Sequence, residues 1–259
     1  MSTEYSGAGD PRRSIELLWG RVSTPAARRG PRPKFTVPGI VAVAVALADT
    51  EGLAAVSMRR VAEQLGVTAM SLYTYVPSKA ELIDVMVDAV AGEAVQDAYT
   101  GPGWRERLAE VARDNWELYR RHPWLLQVAT SRPVLGPNTI AKYDFELRAF
   151  ENTGVGDLER DQLLSLVLDY VTGAARAAVL ADQAEQRTGR SDAEWWAAYA
   201  PLLSEVLDPA RFPTAARIGQ AAGEEFGAGD PTRAFAFGLQ RVLDGIALFV
   251  DRPGSPASG

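Results

Sequence analysis

The sequence predicts an all-α protein: an N-terminal helix-turn-helix head of three or four helices, followed by a larger helical domain. Three observations predict it. Apolar residues recur at the i, i+3, i+4, i+7 spacing of amphipathic helices, and no sustained period-two alternation marks a strand. Ser, Thr and Asp stand just before these runs and glycines just after them, where helices start and stop. Finally, two short helical runs meet at Gly66 in "MRRVAEQLGVTAMSLYTYVPSK", with room between them only for a tight turn.

Residues 1–35 are rich in Pro, Gly, Ser and Arg. A short helix fits Pro11 to Trp19, but "STPAARRGPRPKF" has too few apolar residues to fold alone, so 1–35 reads as a flexible basic arm. The head follows over 36–90. Thr36 caps its first helix, Pro38 sits in the first turn, and Ile40, Val41, Ala44, Val45 and Ala48 form the inner face before Gly52 ends it. Ser57 caps the next, whose apolar face is Met58, Val61, Ala62 and Leu65; Gly66 supplies the positive φ that stops it. Thr68 caps a third helix, and Pro77 ends it by pushing the preceding residue out of the α region. About two turns fit between those stops. Leu72 and Val76 give this helix a buried side, leaving Ala69, Met70, Tyr73 and Thr74 facing out. Ser78 to Glu81 reads as an S-x-x-E capping box, with Leu82, Val85, Met86 and Ala89 following at helical spacing.

A helical body spans 91–251, and 252–259 reads as a disordered tail. After the Gly101-Pro102-Gly103 break, one helix carries Trp104, Leu108, Val111, Ala112 and Tyr119 and ends before "HPW". Another carries Ile140, Tyr143, Leu147 and Phe150 and stops at Gly154; a long one runs from about Glu159 to Gln186. "SDAEWWAAYAPLLSEVL" follows with Ser191 as its cap, Asp208 to Gly229 reads as loop-rich, and Asp230 starts the last helix. The long and last helices are apolar on two sides, through Leu163, Val167, Tyr170 and Ala174 beside Leu164, Leu168, Val171 and Ala175, and through Phe235, Leu239, Val242, Ile246 and Phe249 beside Ala236, Leu243, Ala247 and Val250. Helices apolar on more than one face must bury both. A second copy of the chain, pairing through the helices around 159–186 and 231–250, is the natural taker of the outer faces; a larger single-chain core is the alternative.

The 259 residues suffice for one large or two modest domains. There is no cysteine, which excludes disulfides and thiolate metal sites. No apolar leader opens the chain; the run Ile40–Ala48 is too short to cross a bilayer, and Leu163–Ala181 is interrupted by Asp169 and Arg176. A soluble, cytoplasmic protein with no membrane partner is expected. The net charge of −6 hides a division: residues 1–79 hold ten Lys/Arg against six Asp/Glu, and residues 80–259 hold seventeen against twenty-seven. A basic front on an acidic body suits a chain whose first part meets phosphate.

Over "GLAAVSMRRVAEQLGVTAMSLYTYVPSKAELIDVMVDAV" the chain resembles the TetR family of bacterial regulators, with the Ser-Met-Arg stretch, A-x-x-L-G-V, the tyrosine region, a lysine and an apolar helix in order. The match runs without gaps from about Thr36 to Ala89; the back half resembles the family's regulatory domain in helix order alone. The resemblance implies a repressor that binds palindromic, double-stranded operator DNA as a homodimer and is released by an unknown small-molecule effector. It places Ala69, Met70 and Tyr73 at base edges, Thr68, Ser71, Thr74 and Tyr75 among base and phosphate contacts, Arg59 at the groove edge and Lys79 on a phosphate. Tetracycline-type members hold a drug–magnesium complex with a histidine; here the only histidine is His122, and Val128 stands where that ligand would align, so neither a metal nor a cofactor is expected.

An enzyme reading has little to build on: no cysteine, one histidine, and no glycine-rich phosphate loop. The rival class is a helical DNA-binding or protein-interaction module without an effector. Aromatic residues of the body could instead line a ligand cavity. These are Trp104, Trp116, Trp124, Trp195 and Trp196 with Tyr119, Tyr143, Tyr170 and Tyr199. The candidate set is Trp116, Tyr119, Trp124, Tyr143 and Tyr170, with Asn115, Gln127 and Asp169 as polar groups to orient the ligand. Ordinary core aromatics are the alternative. The arm Arg28–Lys34, placed just before the head, suits an AT-rich minor groove; a solubilising tail is the alternative.

Overall fold

The computed structural model describes residues 4–7, 9–20, 35–129 and 132–251. The linker "RRGPRPK" and the C-terminal tail, expected to be a DNA-binding arm and a disordered end, lie outside the described residues.

The head is built from α2 (Val37–Glu51), α3 (Met58–Gln64), α4 (Ala69–Tyr73) and α5 (Lys79–Ala91). Thr36, Ser57 and Thr68 cap the first three as their side chains predict, accepting from Gly39 N–H, Arg60 N–H and Ser71 N–H. One core holds these helices, with Ile40, Val56, Val61, Leu72, Val76, Leu82 and Met86 fully or almost fully buried.

Helix α5 is buried on more sides than its pattern shows. Ala89 is exposed, whereas Ile83 and three acids, Glu81, Asp84 and Asp88, are buried. Asp88 accepts from the Thr139 N–H and hydroxyl at 2.9 and 3.0 Å, whereas Glu81 and Asp84 lie under a cover expected to be flexible. Residues 4–7 and 9–20 include β1 (Glu4–Tyr5) and α1 (Pro11–Leu18), which lies against α5, with Leu17 joining the head core. Asp84 accepts from Gly7 N–H at 2.9 Å and from the Ser14 hydroxyl at 3.4 Å. Glu81, expected to close a capping box, bonds the Ser78 hydroxyl and accepts from Asp10 N–H at 3.2 Å. Burial raises the Asp84 pKa, despite the opposing bonds from Gly7 and Ser14. The N-terminal strap also reaches the body: β1 pairs in parallel with β2 (Val128–Ala129), and the Trp19 indole N–H donates to the Leu135 carbonyl at 3.0 Å. A ladder two residues long leaves the all-α class intact.

The body consists of α6 (Trp104–Arg121), α7 (Pro137–Leu147), α8 (Asp157–Thr188), α9 (Asp192–Val206), α10 (Pro213–Phe226) and α11 (Pro231–Val250). Its core lies between α6, α8 and α11, where Leu108, Val111 and Ala112 meet Leu164, Val167 and Val171, and Leu239, Leu243 and Ile246. By length and composition α8 could cross a membrane; here its stripe from Leu164 to Val179 packs within the chain. Ser191 and Glu194 make the reciprocal capping box that starts α9.

Two expectations fail here. On α7, Ile140 and Tyr143 are exposed, and Phe145 and Glu146 are buried instead. Phe145 stacks on Tyr99 with ring centroids 4.4 Å apart, and Glu146 can be buried because Lys142 and Asn115 both bond it, at 2.5 and 2.6 Å. The stretch 208–229, expected to be loop-rich, contains the fourteen-residue helix α10. One of its two interior glycines is a contact rather than a break: a Cβ on Gly223 would collide with the Trp196 indole of α9.

Candidate DNA interface

The turn between α3 and α4 is closed by backbone. Gly66 has φ +68°, and Val67 N–H donates back to the Ala62 carbonyl at 2.9 Å. Helix α4 has five residues, too few to hold itself in water. Leu72, 2% exposed, and Val76 fix it to the head core. The opposite side carries Met70, 76% exposed, and Tyr73, 45% exposed. Around them the hydroxyls are ordered: Thr68 Oγ1 lies 2.9 Å from Ser71 Oγ, and Thr74 Oγ1 donates to the Ser71 carbonyl at 2.7 Å. Ala69 and Tyr75 are half-buried at the edge of the same surface.

The charged candidates flank this surface. Arg59, on the first turn of α3, pairs with Glu63 at 2.8 Å; the bond and the charge of Glu63 raise its pKa further. Its neighbour Arg60 grips both Glu51 oxygens at 2.7 Å and so ties α3 to α2. Lys79 is the first residue of α5. All nine DNA-contact candidates therefore fall on α3, the cap before α4, α4 itself, the turn after it or the start of α5.

A joint behind the head ties it to the body. Asp49 of α2 takes the Trp124 indole N–H at 2.8 Å and lies 2.7 Å from His122 Nδ1. The other ring nitrogen of His122 lies 3.2 Å from Glu93, which also pairs with Arg121. Burial works against the Glu93 carboxylate, but its bonds to His122 and Arg121 outweigh that and hold its pKa below the usual range. His122 is thus a buried joint residue at the C-terminus of α6. Sequence reading missed Asp49, Glu93 and the buried acids of α5. Acids at i, i+3 and i+7 inside an apolar helix, as at 81, 84 and 88, were a signal available to find the last group.

The eight ligand candidates do not converge. Trp124 belongs to the head core, and Asn115 is occupied by the Val111 carbonyl and Glu146. Trp116 stacks on Phe235 at 4.2 Å, and Tyr170, its pKa raised by burial, donates to the Phe235 carbonyl at 2.8 Å. Tyr119 meets Thr172, Tyr143 bonds Asp161 on the surface, Asp169 is exposed, and Gln127 ends the turn after α6. None of the eight lines the cavity of about 710 Å³ that lies between the C-terminal half of α8 and the α9–α10 hairpin.

A capped pair of short helices at a glycine turn, with apolar and hydroxyl side chains turned outward, defines a helix-turn-helix DNA-binding protein. Residues 40–86 match the bacterial regulatory proteins of the tetR family, and residues 99–250 match the tetracyclin repressor-like C-terminal domain. The chain belongs to the TetR family and is a DNA-binding transcriptional repressor, not an enzyme. It is 45% identical to the HTH-type transcriptional repressor DrrR1 of Streptomyces coeruleorubidus, over 96% of this chain and 90% of that one. An HTH-type transcriptional regulator of Saccharopolyspora erythraea is 33% identical over 62% of this chain and 66% of its own length. Among solved structures, ActR of Streptomyces coelicolor in complex with actinorhodin is 29% identical, with a TM-score of 0.67 over 82% of this chain and 96% of that one. ActR in complex with (S)-DNPA is 28% identical, with a TM-score of 0.66 over 84% and 99% of the two chains.

Proposed function

We propose that the chain acts in the cytoplasm as a homodimer that holds a near-palindromic operator and lets go when a small molecule binds its body. Residues 36–90 read the DNA and residues 91–251 dimerise and take the effector. Ala69, Met70 and Tyr73 meet base edges, Thr68, Ser71, Thr74 and Tyr75 meet bases and phosphate, Arg59 lies at the groove edge and Lys79 grips a phosphate. The observation that carries this reading is the outward face of α4, where Met70 and Tyr73 stand in water on a helix anchored through Leu72. Dimerisation is supported by the exposed apolar residues Leu158, Leu166 and Leu180 on α8 and Phe237, Leu248 and Phe249 on α11. Release by a small molecule is supported by ActR, a structural relative solved with actinorhodin and with (S)-DNPA.

Gel-shift competition between operator and scrambled DNA tests the reading. Tyr73→Ala and Met70→Ala should each change sequence preference by roughly 1–3 kcal/mol per lost base contact, whereas Lys79→Ala should weaken all DNA alike. Equal affinity of the unmodified protein for both DNAs would reject specific repression.

A further inference from the structure

We infer that the cavity between α8 and the α9–α10 hairpin is a binding site for flat aromatic cations. Under the ligand-responsive reading above, on which this second step rests, that chemistry is also the class of the effector. The cavity's volume, about 710 Å³, falls within the range of small-molecule sites.

Its position follows from the long helix. Leu164, Val167, Val171, Ala175 and Ala178 form the stripe of α8 that packs on its own chain. The same stripe continues through Ala181, Asp182 and Glu185, and there it faces the cavity instead of the core. Leu166, Gly173, Ala177 and Leu180, all exposed, lie on a different side of α8. A second copy seated on that outward side leaves the cavity open.

Charge decides the sign of the ligand. Asp182 and Glu185 come from α8, Asp192 from α9, Glu224 and Glu225 from α10, and Asp230 from the start of α11. Arg120 is the one cationic side chain among the lining residues, and Asp182 already holds it at 3.1 Å. Two helix N-termini, of α9 and α11, also open here, and each carries roughly half a positive charge. Ser191 and Asp230 cap them, however, and the C-terminus of α10 offsets about half a charge more. Arg233, just outside the lining, holds Glu225 at 3.1 Å, so six carboxylates outweigh two guanidiniums and the residual dipoles, and the cavity attracts cations.

Shape decides the rest. The Trp196 indole lies against α10 because Gly223 carries no side chain, and Ala193, Ala197 and Phe226, whose ring Arg233 covers at 4.5 Å, extend the apolar wall. An indole face beside carboxylates favours a delocalised cation that can stack, over a compact ammonium ion or a neutral ring.

Two xanthene dyes of similar shape and opposite charge test this on the full chain: rhodamine 6G, a cation, and fluorescein, an anion. Titrations followed by dye anisotropy and tryptophan quenching should show rhodamine 6G binding about tenfold or more tighter. Glu185→Gln combined with Glu224→Gln should erase that advantage. Both side chains are exposed, so the fold is spared. Removing two other exposed carboxylates of α8, by Asp157→Asn with Glu159→Gln, should leave rhodamine binding unchanged. Equal affinity for the two dyes, or rhodamine binding indifferent to the Glu185/Glu224 change, overturns the site. Operator affinity is read separately. Rhodamine bound as expected with operator affinity unmoved removes the effector role and leaves the site. Operator release by another small molecule, with no rhodamine bound, removes the site and leaves the switch.

Discussion

Helices α2 and α9 each have fifteen residues and a strongly apolar sequence, yet they end in opposite surroundings. Helix α2 buries Ile40, Val41, Ala44, Leu47 and Ala48 in the head core. Among the described residues no residue of α9 is buried, and Trp195, Tyr199, Leu202, Leu203 and Val206 all stand exposed. An apolar stripe states that a helix has a partner; it does not state which chain supplies it. The head closes within one copy, because four short helices converge on one core. The body closes only one face of α8 and α11, and the hairpin of α9 and α10 rests mainly on itself.

The contrast can be broken from the body first. Phe237→Glu together with Leu248→Glu places charge on residues that are 65% and 73% exposed in the single chain. The head should fold as before, while the mass in solution falls to that of one chain, 27.9 kDa. Operator affinity should drop by about a hundredfold or more, because linked half-sites lose their high effective concentration. Light scattering and gel shift together read it; an unchanged mass would mean the outer faces are covered some other way. Next in size is Leu72→Ala. It empties the anchor of α4 and should cost about 2–5 kcal/mol, lowering the thermal midpoint and abolishing operator binding without altering the oligomer.

The smallest effect sharpens the comparison at α5, where head and strap meet. The folded protein holds the Asp84 proton more tightly than the unfolded chain does, since burial raises this pKa. Stability from this group is therefore fullest below the unfolded-state value and falls as pH rises through the raised folded value. Asp84→Asn should flatten that decline, a difference on the order of 1 kcal/mol between acid and neutral pH. Urea midpoints measured from pH 3 to 7 check it, and parallel curves for the two proteins would refute the assignment.

The same contrast explains what was legible. Head helices announce themselves because Thr36, Ser57 and Thr68 each cap a run whose burial is local, and Gly66 needs its positive φ whatever surrounds it. The outward residues of α4 were legible for that reason too. Helix α10 was hidden because Gly219 and Gly223 look like breaks, and only the Trp196 ring shows why one of them is there. The ligand candidates scattered because aromatic residues on α6 and α8 serve stacking inside the core as readily as they would line a cavity. Nothing local in the sequence says that residues 4–20 have a dock, since the groups that dock them lie far along the chain.

That distance has a consequence for synthesis. The Ser6 hydroxyl donates to the Arg132 carbonyl and the Trp19 indole to the Leu135 carbonyl, contacts that span 126 and 116 residues. A ribosome adding about 5–20 residues per second needs roughly 6–25 s to cover such a gap. The N-terminal strap leaves the exit tunnel long before the residues it docks on, and it is thus among the last to settle. Until the chain past residue 135 emerges, those two bonds cannot form. The nascent head meets its surroundings with part of the acidic side of α5 still uncovered.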